Sequence, residues 1–121
     1  MSAVFVGLLE GVITIKISGK LTQPELAEVQ KSAGELIQQQ GRGRFLILVE
    51  NFQGTAQEGN WGDLSFQARF DSLIEKIAIV GDKPLEELAL LFTAKGIRPV
   101  PVEYFQPSEM GRARVWLTGG T

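Results

Sequence analysis

Ile74-Glu75-Lys76-Ile77-Ala78-Ile79-Val80-Gly81-Asp82, followed by Lys83-Pro84, is the stretch on which the fold turns. An apolar run that ends in Gly-Asp and then proline reads as a buried strand handing over to a helix. Upstream, Phe45-Leu46-Ile47-Leu48-Val49 is apolar throughout, which suits a strand covered by helices on both faces rather than one with a wet side. These two runs are the interior of a sheet, and the rest of the chain is placed as layers on them.

Before Phe45, Thr22-Gln23-Pro24-Glu25 has the capping-box pattern, in which the Thr22 hydroxyl accepts from the Glu25 amide and the carboxylate reaches back; Pro24 sits in the first turn. Leu26, Val29, Ala33, Leu36 and Ile37 then share one helical face, and Gly41 supplies the stop. Earlier still, Val4-Phe5-Val6 and Val12-Ile13-Thr14-Ile15-Lys16-Ile17 flank Glu10-Gly11 as a hairpin. In the second run, isoleucines alternate with Thr14, Lys16 and Ser18, which predicts one buried face and one facing water.

Downstream of Val49, residues Glu50 to Gly62 keep neither a strand nor a helical period and read as the longest irregular segment. From Trp61 to Leu73 a helical pattern carries two apolar stripes, Trp61-Leu64-Ala68 and Phe66-Phe70-Leu73. Leu85, Leu88, Ala89 and Phe92 mark a further helix ended by Gly96. Pro99 and Pro101 lead into a short last strand around Val102 to Phe105, and Ser108 is the expected N-cap of a final helix bearing Met110, Ala113 and Leu117. The order β-β-α-β-α-β-α-β-α predicts an α/β fold: a mixed, mostly parallel five-stranded sheet with about four helices, in one domain spanning residues 1–121.

Composition narrows the function classes. A chain of 121 residues can bury a self-sufficient core. With no cysteine there is no disulfide and no thiolate, which fits a reducing compartment, the cytoplasm. No apolar run approaches the roughly 20 residues of a membrane span, and the start lacks a basic leader region. A net charge of −2 with interspersed signs argues against a nucleic-acid partner, whose binding draws on clustered Lys and Arg.

Histidine is absent as well, so the commonest general base and the commonest transition-metal ligand are both missing. Glu50, Glu58, Asp63, Asp71 and Asp82 are the candidate carboxylates, but no two form an acid/base or metal motif, and solvated surface roles are the default for each. Neither GxxxxGK[ST] nor GxGxxG occurs, so no phosphate or dinucleotide loop is expected. No catalytic residue, metal or cofactor is therefore expected. In open α/β sheets ligands gather outside the carboxyl ends of the strands, which points to Glu50–Thr55 and Gly81–Pro84 as one rim. At Gly81-Asp82 a helix N-terminus could take an anion, although Asp82 as a cap is the simpler reading. Phe52, Trp61, Phe66 and Phe70 are open to three roles beside that rim: pocket lining, a homodimer face, or completion of the core.

By residues alone the chain reads as a soluble α/β domain; more comes from a likeness. Ile77-Ala78-Ile79-Val80-Gly81-Asp82-Lys83, Tyr104-Phe105 and Ala113-Arg114-Val115-Trp116-Leu117, in this order and spacing, resemble the SpoIIAA-like group, also described as STAS/Sec14-like. The resemblance covers nearly the whole chain. It implies an α/β fold like that of anti-sigma-factor antagonists, related in shape to lipid-binding Sec14-type domains, in a family largely without assigned biochemical activity. Pro84 and Glu103 stand where the family usually has a charged or aromatic residue and a basic one, so no anion site is carried over to them. Antagonists of this fold are switched by phosphorylation of a serine in an Asp-Ser-Ser-Gly type context. The corresponding segment here is Glu50-Asn51-Phe52-Gln53-Gly54-Thr55, leaving Thr55 as the phosphorylation candidate.

The expectation is thus a non-enzymatic binding or regulatory module that takes an apolar small molecule or a protein partner. Its site residues are Phe52, Trp61, Phe66, Phe70, Gly81 and Asp82. The rivals are a partner-switching regulator controlled at Thr55 and a carboxylate-dependent enzyme using Asp82 or Glu50.

Overall fold

The computed structural model describes residues 3–9, 11–55, 69–82 and 101–118. Five strands, β1 (Ala3–Leu9), β2 (Val12–Leu21), β3 (Gly43–Thr55), β4 (Ile74–Gly81) and β5 (Val102–Phe105), form one sheet in the order β1-β2-β3-β4-β5. β1 runs antiparallel to β2 and every other neighbouring pair is parallel, the mixed, mostly parallel five-stranded sheet expected from the sequence. The first connection is tight, with Leu9 opposite Val12 and Gly11 at φ 80° as a two-residue hairpin turn requires. Two α-helices are described, α1 (Gln23–Gln40) and α2 (Met110–Thr118). The helix expected over 85–95 lies outside the described residues. So does most of the one over 61–73, of which Arg69 and Phe70 are helical and lead into the 3-10 turn Asp71–Leu73.

The period of two along the strands divides the core between two faces. Ile13, Ile15, Ile17, Phe45, Val49, Ile77, Ile79 and Val102 point to the α1 side, where Val29, Ala33 and Ile37 of the helix meet them. Val12, Leu46, Ala78 and Val80 point the other way, to Ala113 and Leu117 of α2. Continuous apolar runs in β3 and β4 follow from this two-sided cover.

β2 departs from the expected wet face in its first half, while Lys16 and Ser18 beyond it stay half-exposed. Val12 and Thr14 are 1% exposed, because β2 is flanked by strands on both edges and shares its second face with the α2 cluster. Burial leaves Thr14 Oγ1 without a hydrogen-bond partner among the described residues. A buried hydroxyl with no partner carries its desolvation cost uncompensated. Thr14→Val keeps the shape and removes that oxygen, so we expect a gain of about 1 kcal/mol, read as a higher urea midpoint at unchanged slope.

β3 corrects the expectation for Glu50–Gly62 over residues 50–55; residues 56–62 lie outside the described residues. The strand continues to Thr55, and its ladder with β2 shifts register between Ser18 and Gly19 and again between Gly19 and Leu21. Asn51 (φ 49°) and Gly54 (φ 93°) adopt the left-handed conformation at these irregularities. Each extra residue breaks the alternation by one, which erases the period of two while the strand goes on. The first of them returns Phe52 to the α1 side.

Both helix starts also differ in detail. Thr22 occupies the N-cap position of α1, but its hydroxyl donates to Glu25 Oε2 at 3.0 Å, since a free carboxylate is a stronger acceptor than the hydroxyl is for an amide. At the other end Gly41 (φ 78°) donates its amide to Ile37 O and closes α1 as expected. α2 is capped two residues ahead of Ser108. The Gln106 amide donates to Glu109 Oε1 at 3.0 Å and starts the 3-10 turn Pro107–Glu109 that runs into the helix, because Pro107 fits the first turn and Glu109 reaches back.

Candidate functional site

Parallel strands β2 to β5 all end on one rim, and of the residues expected at the site Phe52, Gly81 and Asp82 lie along it. Gly81 is the last residue of β4, opposite Val49. A Cβ on Gly81 would lie 2.6 Å from the Tyr104 hydroxyl, 3.1 Å from the Val49 carbonyl oxygen and 3.2 Å from Val49 Cβ. The tyrosine therefore uses the space that the absent side chain leaves, and from it donates a hydrogen bond to the carbonyl of Asp82 at 2.8 Å. Asp82 is exposed on this rim.

Phe52 and Phe70 are both buried members of the α1-side core. The Phe70 ring is held closest: a Cβ on Gly34 of α1 would come within 2.9 Å of Phe70 Cζ, and the Arg69 guanidinium lies 5.2 Å from the ring centroid. Trp61 and Phe66 lie outside the described residues. Thr55 ends β3, its backbone paired with Leu21 beside the start of α1. Glu50 is exposed on the other face of the sheet, where Lys16 reaches it at 3.2 Å. The structure thus brings Phe52, Thr55, Gly81, Asp82 and Tyr104 to one end of the sheet and sends Glu50 to a face. Tyr104 was not among the expected site residues. Its spacing of two from Val102 was the available signal, since period two sets both on the α1 side next to β4.

A second polar assembly, not legible from spacing along the chain, lies at the opposite end. Arg44 of β3 and Lys76 of β4 are register partners, so two cations stand side by side. Their charge meets the carboxyl end of α2, where Lys76 Nζ donates to Trp116 O at 2.8 Å and Arg44 Nη1 donates to Leu117 O. Helix carbonyls without intrahelical partners favour cations there. Lys76 also lies 5.0 Å from the Trp116 ring centroid. Glu75 balances the group, accepting from Arg44 Nε at 2.7 Å with Arg42 at 3.8 Å. The Arg44 hydrogen bond holds the Glu75 carboxyl below the usual carboxylate range. This assembly fastens α2 to the sheet. Among the described residues no group of three His, Cys, Asp or Glu is placed to hold a metal ion, and no helix is long and apolar enough to cross a membrane.

Comparison with known proteins agrees with this architecture. The family model described as SpoIIAA-like matches residues 12–118, a span that includes all three stretches on which the resemblance rests. Among solved structures, the chain is similar to an uncharacterized protein of the DUF3478 family with a SpoIIAA-like fold from Shewanella loihica PV-4. The TM-score is 0.73 at 21% identity, covering 96% of this chain and 93% of that one. No curated protein sequence matches the chain.

Proposed function

This chain belongs to the SpoIIAA-like family, and from that premise we propose that residues 1–121 are one non-enzymatic binding or regulatory module of the cytoplasm, holding an apolar small molecule or a protein partner at the carboxyl rim of its sheet. The observation that supports this reading most is the meeting of Phe52, Gly81, Asp82 and Tyr104 at that rim. Phe52 is buried there and the Tyr104 hydroxyl is paired with the Asp82 carbonyl; apolar side chains with few polar groups fixing orientation are the mixture that small-molecule sites use. In this proposal Trp61 and Phe66, from the chain between β3 and β4, complete the aromatic set that begins with Phe52 and Phe70.

The test is native mass spectrometry of protein purified without detergent, followed by denaturation. We expect an apolar molecule in the native complex, released on denaturation, and lower occupancy in Trp61→Ala and Phe66→Ala. The reading is lost if no molecule is released and Trp61→Glu and Phe66→Glu leave the set of captured protein partners unchanged.

The position of Thr55 supports a second reading, a phosphorylation-controlled partner switch, because β3 ends there on the rim where α1 begins. A phosphate adds up to two negative charges and three acceptors at one point. Thr55→Glu is then expected to change partner affinity. Unaltered binding, together with no phosphothreonine at 55 after kinase treatment, removes this reading.

A further inference from the structure

Edge strands carry unpaired backbone donors and acceptors, and proteins guard them with lysine, proline, inward charges or very short length. β1 is an edge of the sheet, seven residues long, and reads AVFVGLL, without a charge or a proline. Five large apolar side chains are exposed among the described residues, and three of them are on β1: Val4 at 40%, Val6 at 49% and Leu8 at 41%. Val4 lies opposite Lys16, on the α2 side of the sheet, and alternation from Phe5 places Val6 there as well. The register shift between Phe5 and Gly7 then turns Leu8 to the α1 side, opposite Ile13. Apolar groups thus flank on both faces an edge that no described strand pairs with. A groove for a helix or a small molecule would be one-sided; an apolar strand is what meets an edge on both faces at once.

We propose that a second copy of this chain covers the edge, by antiparallel pairing of β1 with the partner's β1 about a two-fold axis. Isologous contacts bring identical groups together, so they demand a patch without unbalanced charge. β1 meets that demand: it carries no charge, and the nearest ionic side chain across the strand, Lys16, is already paired with Glu50 at 3.2 Å. With the axis at Phe5, Val4 of each copy stands across from Val6 of the other, and four valines form one apolar cluster on the α2 side. A strand edge alone does not supply the roughly 800 Å² per partner of a standard interface. α1 lies against β1 and adds its flank at the same edge. The result is a continuous ten-stranded sheet, and it leaves the carboxyl rim free.

Size-exclusion chromatography with light scattering, run from micromolar to millimolar protein, reads the outcome directly. The wild-type chain is expected at the mass of two chains. Val4→Lys and Val6→Lys put a charge on the edge at exposed positions and are expected to weaken the dimer by roughly tenfold or more, about 1.4 kcal/mol. Val115→Lys, at a site 68% exposed on α2, should leave the mass unchanged. Should a lysine disturb folding by circular dichroism, Val4→Thr with Val6→Thr keeps the β-branched shape and is expected to weaken the dimer in the same direction. A wild-type chain that stays at the mass of one chain at millimolar concentration overturns the proposal. So does a dimer that every folded edge variant leaves as tight as before. Neither result bears on ligand release at the rim, so the two proposals fail separately.

Discussion

Leu117→Ala is expected to cost about 2–5 kcal/mol of stability, with the loss concentrated in α2. Leu117 is fully buried at the centre of the smaller cluster, among Val12, Leu46, Ala78, Val80 and Ala113. Removing its isobutyl group forfeits transfer free energy and leaves a cavity that flanking strands cannot close. The helix has little order of its own. At nine residues it is shorter than the roughly 12–15 at which isolated helices become even marginal in water. Ala113 and Leu117 are its only fully buried residues, so docking is what makes it helical. Arg44 and Lys76 hold the Leu117 and Trp116 carbonyls by backbone contacts that the substitution does not remove. Urea denaturation should therefore show a lower midpoint, and hydrogen exchange should show the 110–118 amides opening well below the global unfolding free energy. Val115→Ala, on the exposed side of the same helix, should stay within about 0.5 kcal/mol of wild type. A Leu117→Ala variant that matches it would mean that α2 is not held by its apolar face.

The second large effect is at Gly81. Gly81→Ala introduces a Cβ that cannot stand 2.6 Å from the Tyr104 hydroxyl, and the Val49 backbone at 3.1 Å blocks retreat on the other side. Tyr104 must swing away and give up its hydrogen bond to the Asp82 carbonyl. Overpacking of this kind costs about 1–3 kcal/mol, and we expect the thermal midpoint to fall accordingly. The double variant Gly81→Ala/Tyr104→Phe separates the causes. Without the hydroxyl the closest clash is gone, so the pair should be less destabilised than the sum of the two single variants; the contact with Val49 keeps the rescue partial. Strict additivity would show that the tyrosine does not occupy the space over Gly81. Because this is the proposed site, the same variants should also lower the occupancy of a bound apolar molecule.

Much of the fold was legible because its signals are local. Ile77–Val80 and Phe45–Val49 are apolar without interruption, and that pattern alone required helices on both faces. The spacing of Val29, Ala33 and Ile37 with Gly41 behind them defined α1, and Gly11 marked the hairpin turn. The motif triplet identified the family from the sequence, since it lies wholly within the matched span 12–118. The strand over Glu50–Thr55 was not legible, because bulges at Asn51 and Gly54 break the period by which a strand is read. The cap of α2 was misplaced for a related reason: Gln106 with Glu109 fits the capping pattern less well by residue type than Ser108 does, and Pro107 decided between them.

By itself, then, the sequence determined the five strands apart from the end of β3, the helices α1 and α2, that the sheet is mixed and mostly parallel, and to which family the chain belongs. These are properties of periodicity and composition within short windows. Only the tertiary structure decided that Thr14 is buried, that Arg44 and Lys76 turn to the end of α2, that Phe52 and Phe70 sit in the core, and that Tyr104 fills the gap above Gly81. Each of these depends on residues tens of positions apart meeting in one place, and contacts of that kind leave no period in the chain from which to read them.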